Sequence, residues 1–334
     1  MIPSERRKVF VTGGAGFIAR AIYRRAAQED WPWEFTCYSR SDEKHRALNQ
    51  QYPQVGIVRG DITTPDIQHL AAAMRGHDIV IHAAATKYVD RSEMAALDTI
   101  RINTLGSMNV MEAAFLAGVQ SLVGISTDKA CSPVSIYGAS KMAMERAFQD
   151  YAQLTGAPQI SLVRYGNVIG STGSVIPLFR RQAQEGTITL TNPEMTRFWL
   201  TIEDAVDLIW AALKEPEGGT ILIPRCRSLT MAGVATACAI LEVGAELECE
   251  VARTIIGQRF GEKVHEELLT SVEMVYTDQT FGYLGEGDLW IMRLHPVTSA
   301  MQRFHMSEAY SSDAPDTPLS TEEMMDWIER APAG

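Results

Sequence analysis

A cluster of glycines near the start of the chain constrains the fold more than any other feature of the sequence. The cluster, Gly13-Gly14-Ala15-Gly16, joins a short β-type run at residues 8–12 to a helical pattern that reaches about residue 29. Glycine permits a tight turn and lets the backbone approach a pyrophosphate, which then lies on the helix N-terminus. The sequence therefore predicts a dinucleotide-binding turn in which Gly13 and Gly16 contact the cofactor.

Five further β-type runs alternate with helical patterns along the first half of the chain. They lie at residues 34–38, 55–59, 78–82, 121–125 and 160–165. Such alternation indicates α/β architecture, a doubly wound parallel sheet of the Rossmann type with right-handed crossovers. We predict a cofactor-binding domain at residues 1–166 plus about 198–224, and a smaller α/β C-terminal substrate lobe at residues 167–197 plus about 225–334.

The ends of these strands supply further cofactor contacts. Ser39 and Arg40 follow the second strand, where an acidic residue favours NAD and an arginine accommodates the 2′-phosphate of NADP. The nearest acidic residues come later and open the next helical pattern, so we predict NADP, with NAD as the alternative. A solvated loop residue is the other interpretation of Arg40. The remaining strand-end residues predicted to contact the cofactor are Asp61, Ile62, Ala83 and Ala84.

A polar motif, Thr127-Asp128-Lys129, follows the fifth strand, and Tyr137 and Lys141 come next at the start of a helical pattern. Residues four apart project from one face of a helix, and an ammonium beside a phenol favours the phenolate. Such a Tyr/Lys pair, with the Thr127 hydroxyl nearby, can take a proton from an alcohol while hydride leaves the same carbon. Asp128 and Lys129 add an acid and a base beyond the needs of a simple alcohol oxidation.

Three other polar residues have two interpretations each. Lys87 follows the fourth strand and either faces the substrate or is a solvated lysine. Asn103 lies on an apolar helical face, where a buried amide needs a partner. It either supports the proton network of Tyr137 and Lys141 or caps a neighbouring turn. Arg259 lies in a glycine-rich, charged stretch. Either this stretch is a solvated turn, or the Arg259 side chain binds a diphosphate through two hydrogen bonds.

Composition and charge oppose several classes of function. A net charge of −11 opposes non-specific binding to nucleic acid or to anionic membranes, and no apolar run approaches the roughly 18 residues of a membrane span. The five cysteines show neither metal-ligand nor redox spacing, and their odd number opposes a disulfide framework. We therefore expect a cytoplasmic protein that binds no metal, no nucleic acid and no membrane.

Taken together, these motifs resemble those of the extended short-chain dehydrogenase/reductase superfamily. Within it, the chain is similar to the inverting UDP-N-acetylglucosamine 4,6-dehydratases over residues 8 to about 267. The stretches that carry the resemblance are 126–129 with Pro133, 137–141, 164–177, 195–199 and 257–266. The resemblance implies NADP that is recycled within each turnover, a UDP-sugar substrate and a homo-oligomer, a dimer or larger, paired through helices near 95–117 and 137–156.

The resemblance also implies two sets of binding residues. The cofactor set comprises Gly13, Gly16, Phe17, Ile18, Ser39, Arg40, Asp61, Ile62, Ala83, Ala84, Lys87, Asn103, Tyr137 and Lys141. The substrate set comprises Lys87, Asn167, Ser174, Val175, Thr196, Arg197, Arg225, Arg259 and Glu262.

For the reaction itself, the resemblance implies one role for each polar residue of the motif. Tyr137 matches the base at the C4 hydroxyl, Lys141 the residue that tunes it, and Thr127 the residue that binds the C4 oxygen. Lys129 matches the base that removes the C5 proton of the 4-keto sugar, and Asp128 the acid that helps the C6 hydroxyl leave as water. The expected enzyme is a lyase that gives a 4-keto-6-deoxy sugar. The alternatives are a 5,6-unsaturated product, C4 epimerisation, or a non-catalytic regulator that senses NADP.

Overall fold

The computed structural model of the protein describes residues 5–215, 217–284, 289–295, 308–314 and 318–332. None of the helices in these ranges has the length and apolar character needed to cross a lipid bilayer. The strands are β1 Arg7–Thr12, β2 Trp33–Ser39, β3 Gly56–Arg59, β4 Ile79–His82, β5 Ser121–Ile125, β6 Gln159–Val163, β7 Asn167–Val168, β8 Thr187–Leu190, β9 Thr196–Leu200, β10 Thr220–Pro224, β11 Arg227–Thr230, β12 Ala252–Ile255, β13 Glu267–Leu269, β14 Thr277–Leu284, β15 Leu289–Leu294 and β16 Tyr310–Ser311. The helices are α1 Phe17–Gln28, α2 Asp42–Gln51, α3 Ile67–Met74, α4 Val89–Met94, α5 Ala96–Ile100, α6 Gly106–Ala117, α7 Ile136–Tyr151, α8 Val175–Gln184, α9 Ile202–Ala212, α10 Met231–Val243, α11 Ser271–Met274 and α12 Thr321–Arg330.

The central sheet has the strand order β14-β15-β10-β6-β5-β4-β1-β2-β3. Strands β1 to β6 and β10 are parallel to their neighbours, whereas β15 pairs antiparallel with β10 and β14 antiparallel with β15. The chain leaves β1 towards β2 on one side and later returns to β4 on the other, which makes the β1/β4 boundary a switch point. Ligands bind outside the carboxyl ends of the strands at such a point. The predicted doubly wound parallel sheet is confirmed.

Apolar side chains on both faces of the sheet explain why its central strands are almost wholly hydrophobic. In β1, Val9, Phe10 and Val11 have no exposed surface, as expected of a parallel strand covered by helices on both sides. One layer packs β1 against α1 and α9, and the other packs it against α3, α6 and α7. A separate cluster joins α8, α10 and α12 in the C-terminal part of the chain. The sheet is therefore a rigid platform whose carboxyl edge faces the smaller lobe.

The smaller lobe contains three short sheets, of order β11-β9-β7, β12-β8 and β13-β16. The predicted division at about residue 224 differs from the structure in one respect, because β14 and β15 extend the central sheet instead of the lobe. Their antiparallel pairing lets the chain return to the edge strand β10 from the lobe. The predicted lobe also takes in residues 285–288, 296–307, 315–317 and 333–334, which lie outside the described residues. The rest of the division stays a prediction.

Two local predictions are corrected by the structure. The helix predicted at 95–117 is α5 and α6 joined by a π-helical turn at Arg101–Leu105. Such a turn holds an extra residue and is frequent at functional sites, and here it contains the fully buried Asn103. The stretch 166–177 is rich in glycine and serine, which predicts a ligand-contacting loop, but it contains the short strand β7 and the start of α8 at Val175.

Candidate active site

The glycine turn after β1 lies against the end of β4. Gly13 has φ +66°, and a Cβ on it would lie 2.8 Å from the Cα of Ala84, so the two loops can touch only because the side chain is absent. Helix α1 then begins at Phe17, and no side chain caps its N-terminal residue Gly16. A bare helix N-terminus beside a close backbone approach is what a dinucleotide diphosphate requires. The residues present therefore fit a nicotinamide dinucleotide.

A cleft of about 1600 Å³ opens at the carboxyl ends of the strands, between the central sheet and the lobe. The predicted site residues that line it are Gly13, Gly16, Phe17, Ile18, Ser39, Arg40, Asp61, Ile62, Ala83, Ala84, Lys87, Thr127, Lys129, Tyr137, Lys141, Asn167, Ser174, Val175, Arg197, Arg259 and Glu262. The predicted site residues outside its lining are Asn103, Asp128, Thr196 and Arg225. One cavity thus brings together most residues predicted for both ligands.

Lys129 lies between two carboxylates at the inner wall of the cleft. Its Nζ donates to Asp128 Oδ1 at 3.1 Å and lies 3.4 Å from Glu266 Oε1. Asp128 is fully buried and also accepts a hydrogen bond from Thr127 Oγ1 at 2.8 Å. Burial lowers the pKa of Lys129, but the Asp128 and Glu266 carboxylates outweigh this effect and raise the pKa above its ordinary value. In the resting protein Lys129 is therefore an ammonium.

Tyr137 and Lys141 are presented by the first turns of α7. The helix is capped by Ser135, whose Oγ accepts a hydrogen bond from Gly138 N at 3.1 Å. Both side chains are buried and line the cleft, on the face that their spacing predicts. The Nζ of Lys141 donates to the Ile125 carbonyl at 2.6 Å, which ties the helix to the end of β5.

The electrostatics around Tyr137 differ from the sequence-based expectation. Burial raises the pKa of Tyr137, and the Lys129 ammonium and the Thr127 hydroxyl oppose that rise without cancelling it. Burial lowers the pKa of Lys141 to about 8, although the Glu145 carboxylate opposes the change. The phenol is therefore protonated in the resting protein, and Lys129 contributes to its tuning. Sequence reasoning had assigned that tuning to Lys141 alone.

The far end of the cleft carries the groups predicted to select the cofactor. Arg40 Nη1 donates to Asp61 Oδ2 at 3.3 Å, and the Arg40 side chain is 62% exposed. Burial raises the pKa of Asp61, but hydrogen bonds from Thr63 and the charge of Arg40 outweigh it and lower the pKa. Lys44, on the first turn of α2, lines the same end. Arg40 and Lys44 thus place two cations at this end of the cleft.

Asn103 is hydrogen-bonded to α7 from outside the cleft. Its Nδ2 donates to the Thr86 carbonyl at 3.0 Å and to Ser140 Oγ at 3.1 Å, and its Oδ1 accepts from Thr86 N at 2.9 Å. The amide is fully buried and is not among the residues that line the cleft, and the predicted cofactor contact of Asn103 stays a prediction. Its hydrogen bonds join the loop after β4 to α7. Lys87 reaches across the cleft and donates to the Thr172 carbonyl at 2.6 Å.

Two residues predicted to bind substrate, Arg197 and Thr196, form hydrogen bonds within the protein. Arg197 lines the cleft, but its guanidinium donates to the carbonyls of Val264 at 3.1 Å and Lys263 at 3.0 Å. Thr196 is buried, and its Oγ1 lies 2.8 Å from His265 Nδ1 and hydrogen-bonds the Ser312 hydroxyl. Both side chains therefore fix the segment 263–266 against β9.

Arg225 and the loop residues Arg259 and Glu262 occupy different positions. Arg225 follows β10 outside the cleft lining, whereas Arg259 and Glu262 lie at its mouth. There the Arg259 N–H donates to Glu262 Oε2 at 3.2 Å. The Arg259 side chain lies in the cleft wall, as its interpretation as a diphosphate contact requires.

Sequence reasoning missed Glu266. The side chain is 3% exposed, lines the cleft beside Lys129, and its Oε2 accepts no hydrogen bond in the described part of the structure. Its position at the end of the charged stretch 257–266 was the available signal, but nothing local indicated that this acid reaches the 126–129 motif.

Comparison with known proteins gives consistent relatives. A family model described as "Polysaccharide biosynthesis protein" matches residues 9–284. An inverting UDP-N-acetylglucosamine 4,6-dehydratase of Campylobacter jejuni subsp. jejuni serotype O:2 is 35% identical over 273 residues, which cover 80% of this chain and 78% of the relative. A UDP-glucose 4-epimerase of Rickettsia felis is 35% identical over 288 residues, which cover 83% of this chain and 82% of that protein.

Solved structures show the same fold. The X-ray structure of Pen from Bacillus thuringiensis has a TM-score of 0.85 at 28% identity and covers 97% of both chains. A dTDP-glucose 4,6-dehydratase from Streptomyces venezuelae, solved with NAD bound, has a TM-score of 0.67 at 25% identity and covers 77% of this chain and 86% of that one. The fold is that of the extended short-chain dehydrogenases/reductases, and the first of these likenesses includes the lobe.

Proposed function

Because this chain belongs to the polysaccharide biosynthesis protein family, whose relatives here are nucleotide-sugar dehydratases and epimerases, we propose that it is an NADP-dependent UDP-N-acetylglucosamine 4,6-dehydratase that inverts C5. The observation that carries the proposal is the position of Lys129, which is bonded to Asp128 and lies close enough to Tyr137 for its charge to influence the phenol. Epimerisation at C4 needs only the Tyr137 side of this site. Elimination of water needs a base and an acid at neighbouring carbons, and Lys129 and Asp128 supply both.

The proposed sequence of steps begins at C4 of the sugar. The Tyr137 phenol first gives its proton to solvent, and the resulting phenolate accepts the proton of the C4 hydroxyl while Thr127 holds the same oxygen. A nicotinamide dinucleotide held by the glycine turn and the cleft residues would supply the redox chemistry, as the acceptor of hydride from C4 and later its donor to C6, with a solvent proton added at C5. The carbonyl at C4 then acidifies the C5 proton, which is the proton that Lys129 removes.

The resting ion pair contains the proton that the elimination needs. Transfer of one proton from the Lys129 ammonium to the Asp128 carboxylate gives a neutral amine and a carboxylic acid. The amine then takes the C5 proton, the C5–H electrons form the C5–C6 double bond, and the C6 oxygen leaves as water with the Asp128 proton. Lys129 and Asp128 end as the ion pair with which they began.

The proposed cofactor is NADP because of the cations at the ribose end of the cleft. Arg40 is exposed there beside Lys44, and an arginine at this strand end accommodates a 2′-phosphate. The proposed substrate is a UDP-amino sugar because the inverting dehydratase relative acts on one. Arg259 at the mouth of the cleft is the proposed diphosphate contact.

A dimer or larger homo-oligomer is also part of the proposal. Met94 is 92% exposed, Leu97 74% and Leu105 51%, all on the α4 to α6 segment, which packs beside α7. Several large exposed apolar side chains on one segment are typical of a surface that a partner covers. Pairing of the α5–α7 faces of two copies would cover it.

The test is the NMR spectrum of the product formed from UDP-N-acetylglucosamine in D2O with NADP present. A 4-keto-6-deoxy sugar that carries deuterium at C5 with inverted configuration would support the proposal. A C4 epimer without C5 deuterium would replace it with epimerisation, which the similarity to the Rickettsia epimerase favours as the second candidate. A 5,6-alkene would retain the elimination and remove the C6 reduction.

A further inference from the structure

Glu266 is the second carboxylate on the Lys129 ammonium, and it comes from a different part of the chain. Its Oε1 lies 3.4 Å from Lys129 Nζ, which also donates to the sequence neighbour Asp128. Glu266 lines the cleft, whereas Asp128 does not. The Oε2 of Glu266 is buried without a hydrogen-bond donor in the described residues, an arrangement that costs free energy unless function requires it.

The backbone around Glu266 is held firmly. Glu266 N donates to Ser312 Oγ at 2.9 Å, and Ser312 N donates to the Glu266 carbonyl at 2.8 Å. Directly after it, β13 pairs with β16. Arg197 fixes the preceding residues through their carbonyls. The carboxylate is therefore pre-organised beside Lys129 before any substrate arrives.

Two cations face this carboxylate from other parts of the site. Arg197 Nε lies 3.9 Å from Oε1, and Lys263 Nζ lies 3.9 Å from Oε2. The groups that face Lys129 itself are Asp128, Glu266, Arg197 and Tyr137. Two carboxylates thus share Lys129, while more distant cations reduce the excess of negative charge.

We propose that Glu266 is a positioning residue for the proton transfer at Lys129, holding a negative charge beside Nζ while Asp128 carries the proton. The reason follows from the proton count. When Asp128 is a carboxylic acid, it no longer stabilises an ammonium at Lys129, and the amine would be a weak base. Glu266 supplies the missing charge, so that the amine accepts the C5 proton while Asp128 releases its own. This role rests on the elimination chemistry proposed above.

The first experiment separates the C5 step from the C4 step. With Glu266→Gln, we expect reduced nicotinamide still to form when substrate is added, whereas C5 exchange with D2O falls on the order of 10²-fold, the low end for a positioned proton-transfer group. In a plot of the C5 exchange rate against pH, we expect the rising part of the curve to move to lower pH, because Lys129 without the Glu266 charge loses its proton more readily. If Glu266 were merely structural, the rates of nicotinamide reduction and of C5 exchange would fall together, and the pH range of the exchange profile would not change. That result would overturn the proposal.

Two further variants serve as controls for Glu266→Gln. Glu266→Asp keeps the carboxylate. We expect its C5 exchange to rise with pH over the same range as in wild type and to be faster than in Glu266→Gln. This variant tests the proposal even if Glu266→Gln folds poorly. Glu267→Gln makes the same charge change one residue later, in β13, and we expect it to behave as wild type. Equal losses in Glu266→Gln and Glu267→Gln would contradict a specific role for Glu266.

The second experiment needs no substrate. Lys129 is partly accessible, so its acetylation by acetic anhydride can be followed across pH by mass spectrometry. We expect the labelling midpoint of Lys129 to move to lower pH in Glu266→Gln and to stay in place in Glu267→Gln. An unchanged midpoint in Glu266→Gln would overturn the proposal. A shifted midpoint together with no turnover of UDP-sugars would refute the proposed function but not the coupling.

Discussion

The guanidinium of Arg164 grips both carboxylate oxygens of Glu145 in the interior, with Nε 2.9 Å from Oε1 and Nη2 2.6 Å from Oε2. The same guanidinium donates to Glu273 from the lobe, with Nη1 3.0 Å from Oε2. Glu145 lies one turn after Lys141 on α7 and opposes the lowering of that lysine's pKa. The cluster therefore joins α7 to the lobe and influences the charge of Lys141.

Replacing Arg164 should be strongly destabilising. Arg164→Leu would leave two buried carboxylates without their shared cation, and breaking a buried ion pair on one side costs about 3–5 kcal/mol. The free energy of unfolding from urea titration measures this loss. Arg330→Ala, which removes an exposed pair with Asp326, is the control and should cost less than about 1 kcal/mol. Equal losses in the two variants would show that the buried cluster contributes little.

The same cluster predicts how stability depends on pH. Burial raises the pKa of Glu273, but Arg164 outweighs burial and holds the pKa below its ordinary value. The stabilisation is therefore complete above the unfolded-state pKa of about 4.3 and is lost as the pH falls through the lower folded-state value. We expect Glu273→Gln to be less stable than wild type at neutral pH and the gap to narrow in acid. A gap that stays constant from neutral to acid pH would refute this linkage.

Tyr137→Phe should abolish the first chemical step. The change removes only the hydroxyl of a buried ring, so the fold should survive while kcat falls by on the order of 10²–10⁴-fold, the range for a lost acid–base group. Formation of reduced nicotinamide on adding UDP-N-acetylglucosamine measures the step. Tyr151→Phe, at the last turn of the same helix, should keep wild-type rates. Wild-type kcat in Tyr137→Phe would remove this residue from the chemistry.

Arg40→Ala should change cofactor preference and not cofactor binding as a whole. A hydrogen bond to a charged group contributes about 1.5–3 kcal/mol, so the Kd for NADP should rise roughly tenfold or more while that for NAD changes little. Isothermal titration with both cofactors measures this. Arg46→Ala removes another exposed arginine, on α2, and should leave both affinities unchanged. Parallel changes for NADP and NAD would refute the 2′-phosphate contact.

Leu97→Glu should convert the proposed oligomer to monomers. Burying a new carboxylate between two copies costs far more than the apolar contact contributes. Analytical ultracentrifugation should show the change in mass, whereas Val272→Glu, which alters a residue that is 69% exposed in α11, should leave the assembly intact. A wild-type protein that is already monomeric would refute the assembly directly.

The parts of the fold that were predictable are those set by local pattern. The turn at Gly13, the strands β1 to β6 and the start of α7 each follow from residues within a few positions of one another. Parallel strands end at one edge of a sheet, so Thr127 and Arg40 could be placed at the same cleft without any long-range information. Local pattern also explains the confirmed sheet architecture.

The parts that were not predictable depend on contacts between distant segments. A strand pattern does not say which sheet the strand joins, so the return of β14 and β15 to the central sheet was missed. The π-helical turn around Asn103 leaves no clear mark in an apolar helical sequence. Glu266 reaches Lys129 only because β13 and β9 are folded against the motif, and no spacing in the sequence encodes that approach.

The hydrogen bonds between Ser312 and Glu266 have a consequence for the order in which the site forms as the protein is translated. On a ribosome the segment from β1 to α7 emerges early and contains the glycine turn, the Thr127 motif and the Tyr137 helix. Glu266 is clamped only when β16 has also emerged and paired with β13. During translation the nascent chain thus passes through a stage in which the glycine turn and the Tyr137 helix have been synthesised while the lobe-derived carboxylate still lacks its fixed place. The proposed elimination therefore has to wait until the lobe has folded.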